Sequence, residues 1–325
     1  MERGAGLHNP PGLSGDLEPA RPGRRWSSAP HHRRRRAVAV LALTGLALLV
    51  ALVVIVLFAR GGAAVPRTAL EPGGGFFAVA RELAVDGAET LTAREARAEN
   101  AAINRTLGYT PYVRIAGAKH REIALTFDDG PGPYTPRILA ILQREHVPAT
   151  FFEVGIEERY FNASTTEIAA AGDVIGDHTE IHPAMSMLSP AKQRAQLLEE
   201  ASAIERYGAS FPRLFRPPYG LWNSATLALL QRYRMLMVLW TVDTNDYLRP
   251  GVHTIVERAV RGARPGAIIL LHDAGGDRSE TVAALPKIIA ALRLRHYRLV
   301  TVPRLLLDNP APRVQNIASV IGSGG

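Results

Sequence analysis

Two kinds of apolar pattern divide the chain. The first is one unbroken run at 37–58, AVAVLALTGLALLVALVVIVLF, with no charge and a single threonine. At about 1.5 Å per residue, a helix of that length crosses the roughly 30 Å hydrocarbon core of a bilayer. The second pattern starts near Glu122. Short runs rich in apolar and β-branched residues stand at 123–127, 150–154, 174–177, 214–216, 235–242, 267–271 and 298–302. Amphipathic stretches at 136–145, 190–207, 224–232, 254–261 and 280–295 separate them. Repeated βα units predict a parallel sheet covered by helices. Their number and spacing fit a small or irregular barrel better than an open sheet, and such barrels gather reactive residues at the C-terminal ends of the strands.

The segments between these patterns complete the expected organisation. Residues 1–36 read as a basic disordered tail, 37–59 as a transmembrane helix and 60–75 as a Gly- and Pro-containing linker. Residues 76–119 read as a helical stalk or packing segment, 120–310 as the main domain and 311–325 as a flexible tail.

Charge changes this picture in one respect. The formal net charge is +8. Residues 1–36 hold eight arginines against three acids, so they carry +5 of it and leave +3 for the rest. Arginines cluster just before the apolar run and only Arg60 and Arg67 follow it. The positive-inside rule then predicts a cytoplasmic N-terminus and a main domain outside the cell membrane. The basic excess becomes a topology signal and a contact for lipid headgroups, and no nucleic-acid partner is needed to explain it. The run exceeds the 7–15 residues typical of a cleavable signal's core, which favours a retained anchor. Cysteine is absent, which excludes disulfides, Cys-ligated metals and thiol nucleophiles.

Candidate chemistry follows the strands. Asp128-Asp129-Gly130-Pro131 follows the first, and Asp177 with His178 to His182 follows another. Arg216-Pro217-Pro218-Tyr219-Gly220, Asp243 to Tyr247 and His272-Asp273 follow three more. His178 and His182, at helical i, i+4 spacing, can share one divalent cation. Asp129 would complete a three-ligand set that leaves a coordination position open. A second carboxylate as general base and a histidine as general acid then describe metal-assisted hydrolysis of an amide or ester.

At these residues the chain resembles the polysaccharide deacetylase family, also called NodB-homology or carbohydrate esterase family 4. TFDDGP (Thr126 to Pro131), HTEIH (His178 to His182), RPPYG (Arg216 to Gly220), DTNDY (Asp243 to Tyr247) and LLHD (Leu270 to Asp273) occur in the family's order. The resemblance implies an α/β fold, an irregular (β/α)7-type barrel. It implies Asp128 as general base, Asp129, His178 and His182 as metal ligands, and Arg216 as the group that orients the base. It further implies His272 as general acid, an acidic residue of DTNDY tuning that histidine, with Asp243 the choice, and the Tyr219 backbone N–H as an oxyanion donor. Leu270 would line the acetyl pocket. Tyr219, Trp222 and Tyr247 would face the sugar, Tyr247 standing where relatives often carry Trp. Glu153 also stands where relatives often carry an apolar or small residue. The implied cofactor is a divalent cation, Zn²⁺ first, with Co²⁺, Mn²⁺ or Ni²⁺ able to use similar ligands. The expected function is a membrane-anchored deacetylase of N-acetylglucosamine-type polysaccharide, with peptidoglycan as first substrate. An O-acetyl esterase or chitooligosaccharide deacetylase is the alternative, and a non-catalytic glycan-binding protein the third reading.

Overall fold

The computed structural model describes residues 91–316. The basic tail, the apolar run at 37–59, the linker and residues 76–90 lie outside the described residues. Among the described residues, no helix is long and apolar enough to cross a membrane.

The described chain enters through α1 (Leu91–Leu107) and a short strand β1 (Tyr112–Val113). The succession is then β2 (Glu122–Gly130), α2 (Thr135–Glu145), β3 (Thr150–Glu153), α3 (Gly155–Ala171), β4 (Val174–Asp177) and α4 (Pro190–Arg206). It continues with β5 (Leu214–Phe215), α5 (Ser224–Tyr233), β6 (Leu236–Val238), β7 (Val242–Asp243) and α6 (Val252–Gly262). It closes with β8 (Ala267–His272), α7 (Ser279–Leu294), β9 (Arg298–Leu299) and α8 (Val302–Asp308). The strands pair in parallel in the order β1-β6-β5-β4-β3-β2-β8-β7, with β9 beside the start of β2. The sheet curls part of the way round a barrel, and helices cover its outer face.

Side-chain alternation explains the layers. Phe127, Phe151, Ile175 and Ile269 join residues of α2, α6 and α7 in the core between sheet and helices. Ala124, Phe152, Leu214 and Ile268, one residue out of step, join a second cluster with α1 and α8. Strands buried on both faces read as the continuous apolar runs seen in the sequence.

Three expectations change. The run at 235–242 is two strands, because the chain changes partners at Trp240. Leu239 donates to the Val113 carbonyl at 2.7 Å and Thr241 to that of Ile268 at 2.9 Å. This short crossing links the two ends of the curl. The run at 298–302 is a strand only to Leu299. Thr301 then caps α8 by accepting the Arg304 N–H, with Pro303 in the first turn where its missing N–H costs nothing. Of the two readings for 76–119, residues 91–119 fit the packing segment, since Ala102, Ile103, Val113 and Ala116 join the body. The start of the expected flexible tail is also held: Ala311 is buried, and Gln315 Oε1 accepts the N–H groups of Arg114 and Ile115.

Candidate active site

β2 brings Asp128 and Asp129 to its C-terminal end. Consecutive strand residues normally point to opposite faces, yet both carboxylates line one cavity. The register against β3 shifts between Asp128 and Gly130, and Asp129 has φ 72°. An irregularity of this kind at a strand end re-aims a side chain.

The helical spacing expected for His178 and His182 is not how they meet. β4 ends at Asp177, and the two histidines lie on a loop with Thr179 at φ 75° and His182 at φ 56°. The rings still approach to 4.8 Å between centroids. His182 Nε2 is 3.2 Å from Asp129 Oδ1, and His178 Nε2 is 3.7 Å from it. Among the described residues this trio alone places three such ligand atoms within 4.8 Å of one another. The donors also have the right chemistry. His178 Nδ1 is 2.6 Å from the Arg216 carbonyl, which can only accept, so Nδ1 carries the proton and the Nε2 lone pair faces Asp129. Burial, reinforced by His182, pushes the His178 pKa down to about 3. The ring is therefore neutral, the form that coordinates a metal. Two imidazoles and a carboxylate suit Zn²⁺.

Arg216 follows β5 and is fully buried. Its Nη1 donates to Asp128 Oδ1 at 2.6 Å and to Thr126 Oγ1 at 2.9 Å, and its Nε donates to the Val238 carbonyl at 3.0 Å. The guanidinium also lies 4.1 Å from the centre of the Phe152 ring. These contacts fix Asp128 beside the trio. Burial raises the Asp128 pKa, and Arg216 followed by His272 offsets only part of that rise.

His272 ends β8 in register with Asp128. The carboxylate beside it is Asp246, a correction to the expectation for Asp243. Asp246 Oδ1 is 2.7 Å from His272 Nδ1, while Oδ2 accepts the His272 backbone N–H at 2.9 Å and the Thr281 hydroxyl at 2.7 Å. Asp243 instead accepts the Asn245 N–H at 2.8 Å and lines the cavity. Burial lowers the His272 pKa, but the Asp246 charge and hydrogen bond outweigh it, and the value rises to about 9.

The cavity these groups share has a volume of about 610 Å³, within the usual range for small-ligand sites. Leu270, Tyr219 and Tyr247 line it. Tyr219 is exposed at φ 58°, with its hydroxyl 3.2 Å from His182 Nδ1. The Tyr247 ring lies 5.2 Å from that of His272. Trp222 is not at this site. It packs 6.3 Å from Tyr112, in a separate cluster with Phe215 and Leu230.

Several lining residues escape a motif reading. Trp240 enters from the crossing between β6 and β7, and Glu157 from the first turn of α3. Arg278 ties two rim loops together, donating through Nε to the Ala274 carbonyl at 2.6 Å, through Nη2 to that of Gly275 at 2.9 Å and through Nη1 to that of Tyr247 at 3.5 Å. Gly275, at φ 72°, lies so close to Asp129 that a Cβ would stand 2.5 Å from Oδ2. Sequence signals existed for Trp240, which falls where an apolar strand pattern carries a bulky ring, and for the His272 partner Asp246, which lies within DTNDY.

Comparison with known proteins gives a consistent result. The polysaccharide deacetylase family profile matches residues 116–238, a stretch that ends before Asp246 and His272. A peptidoglycan-N-acetylglucosamine deacetylase of Bacillus cereus is 40% identical over 187 residues, covering 57% of this chain and 87% of the relative. A chitooligosaccharide deacetylase of a Bradyrhizobium species is 37% identical over 198 residues, covering 57% of this chain and 90% of the relative. The crystal structure of the Bc1960 peptidoglycan N-acetylglucosamine deacetylase superposes with a TM-score of 0.59 at 32% identity, covering 63% of this chain and 95% of that one.

Proposed function

The chain belongs to the polysaccharide deacetylase family, hydrolases of N-acetyl amide bonds, and from that premise we propose that it removes acetyl groups from N-acetylglucosamine-type polysaccharide, with peptidoglycan as its substrate. The observation that carries this reading is the convergence of Asp129, His178 and His182 beside the Arg216-held Asp128 and the Asp246-held His272. A divalent cation held by Asp129, His178 and His182, Zn²⁺ by preference, would lower the pKa of a water and polarise the acetyl carbonyl. Asp128 takes the proton of the attacking water. Arg216 keeps it pointed at the cavity and favours its charged form. His272 gives a proton to the departing sugar amine, and Asp246 keeps its Nδ1 protonated so that Nε2 is the working nitrogen. The Tyr219 N–H stabilises developing oxyanion charge, a role generally worth about 10²–10³-fold in rate. Leu270 packs on the acetyl methyl, and Tyr219, Tyr247 and Trp240 bound the sugar.

The same proposal places this domain outside the cell membrane. Its support is the run at 37–59, the arginines that precede it and the weakly charged linker that follows, with only Arg60 and Arg67 against Glu71. An anchor of that kind holds the cavity near the wall polymer.

The likeness to a chitooligosaccharide deacetylase supports soluble N-acetylglucosamine oligomers as the second reading. Acetate release by the zinc-loaded chain from peptidoglycan, chitooligosaccharides and acetylated xylan separates the substrates. Release from peptidoglycan above the other two is the expected result. Release from xylan alone would replace the amide reading by an ester one.

A further inference from the structure

The parallel strands give the domain two ends, and the reaction uses one of them. Asp128 and His272 stand at the C-terminal ends of β2 and β8. At the opposite end, where strands begin and helices finish, the chain carries a group of exposed arginines. Arg121 precedes β2, Arg261 lies in the last turn of α6 with Arg264 just beyond it, and Arg293 and Arg295 flank the end of α7. Contacts bring these segments together. Arg121 Nη2 donates to the Arg295 carbonyl at 2.7 Å, and Arg295 Nη1 to that of Val260 at 2.5 Å. These two guanidinium groups bond carbonyls, and their charge has no carboxylate partner among the described residues. Arg261 and Arg293 pair with Glu257 and Glu145 at 3.2 Å, both at the surface.

Leu294, the last residue of α7, stands amid these charges and is 82% exposed. Helix dipoles by themselves favour arginines at helix C-termini. They do not account for Arg121, which precedes a strand, or for a bare leucine between two arginines.

We propose that this end of the domain is a membrane-docking face, with Leu294 in the interface of an anionic bilayer and the arginines on its headgroups. A soluble polyanion would meet the arginines but offer the leucine nothing apolar. A bilayer interface takes both, the apolar side chain below the headgroups and the long cationic ones among them. The chain's own apolar run at 37–58 has the length of a bilayer core, which makes lipid the fitting partner. The face is a separate lipid contact on the folded domain, goes beyond that anchor and does not require it. Its consequence is orientation. Glu122 at the basic end and Asp128 at the cavity lie on one strand, about 20 Å apart at roughly 3.3 Å per residue. A domain docked this way turns its cavity away from the lipid and toward the polymer beyond it.

The test exploits the absence of cysteine. The full chain carrying Leu294→Cys takes a single environment-sensitive fluorophore. It is reconstituted with vesicles of phosphatidylcholine, and with vesicles of equal parts phosphatidylcholine and phosphatidylglycerol, each holding a nitroxide-labelled lipid. Met187→Cys, at an 81% exposed position between β4 and α4 at the cavity end, is the control. The label at 294 should shift to the blue and be quenched in the phosphatidylglycerol vesicles alone, and the label at 187 in neither. At about 1 M salt, where the Debye length is about 3 Å, the quenching should be lost. Arg261→Gln, Arg264→Gln and Arg293→Gln together should weaken docking about 10²-fold, since each arginine near an anionic lipid surface generally contributes about fivefold. Circular dichroism and acetate release from soluble chitooligosaccharides should not change. If the triple variant does not fold, the salt series on the parent chain decides the matter. A label at 294 that stays in water in both vesicles, or that responds alike in both, overturns the proposal. A chain that ignores phosphatidylcholine vesicles altogether would count against the anchor at 37–59, while the phosphatidylglycerol vesicles still report on this face.

Discussion

His272 Nδ1 lies 2.7 Å from Asp246 Oδ1, and the same carboxylate also accepts the His272 backbone N–H. One acid thus fixes the ring's position, its tautomer and its charge. His272 donates only while protonated. Its pKa, about 9 against an ordinary 6.5, keeps it charged through neutral pH. Activity should persist up to about pH 9 and fall above it. In Asp246→Asn the falling limb should move to lower pH, because only the charges of Asp129 and Asp128 then oppose burial, and the rate at neutral pH should drop about 10²-fold. Asp243→Asn should leave the limb in place. A pH–rate profile of the three proteins checks this. The linked stability has the same sign: the raised pKa contributes fully below pH 6.5, and the contribution is lost as pH rises through about 9.

Arg216 is a buried cation whose charged partner is Asp128, at 2.6 Å. Arg216→Met leaves that carboxylate buried and alone. Removing one member of such a pair generally costs about 3–5 kcal/mol. Urea unfolding should show a loss of that size, and the variant that still folds should release little acetate.

Trp240 and Trp222 should behave differently. Trp240 lines the cavity and Trp222 packs on Tyr112. Trp240→Ala should raise KM for N-acetylglucosamine oligomers about fivefold, since ring stacking on substrate is generally worth about 1 kcal/mol. Trp222→Phe should leave KM unchanged and lower only the unfolding midpoint. Steady-state kinetics and thermal unfolding together decide it.

Gly275 touches a metal ligand through its missing side chain. A Cβ there would stand 2.5 Å from Asp129 Oδ2, on a backbone at φ 72°. Gly275→Ala should push Asp129 from the histidines and weaken zinc binding about 10–100-fold, the usual effect of disturbing a ligand's support. Competition against a chromophoric chelator measures the change.

Much of this was legible in the sequence, for identifiable reasons. The runs at 123–127 and 267–271 carry enough apolar residues to specify buried parallel strands, so Asp128 and His272 could be placed at strand ends. Contacts that depend on backbone irregularity were not legible. The split at Trp240 arises because Leu239 and Thr241 bond to different strands, which no local pattern encodes. The choice of Asp246 over Asp243 turns on a loop in which Asn245 has φ 49°. Trp222 has the composition of a sugar platform but lies in a turn whose ring packs on Tyr112, a residue 110 positions earlier in the chain. Glu153 reads as one odd acid in an apolar strand. Only the fold brings Glu158, Asp177, Glu180 and Glu200 near it.

The most direct test of the central claim is acetate release from N-acetylated glycan by the zinc-loaded chain, measured beside Asp128→Asn. The account predicts release by the parent chain and a rate at least about 10²-fold lower for the variant, with zinc content and circular dichroism the same in both. Equal rates, or no acetate from any N-acetylated glycan by the folded and zinc-loaded chain, would contradict it.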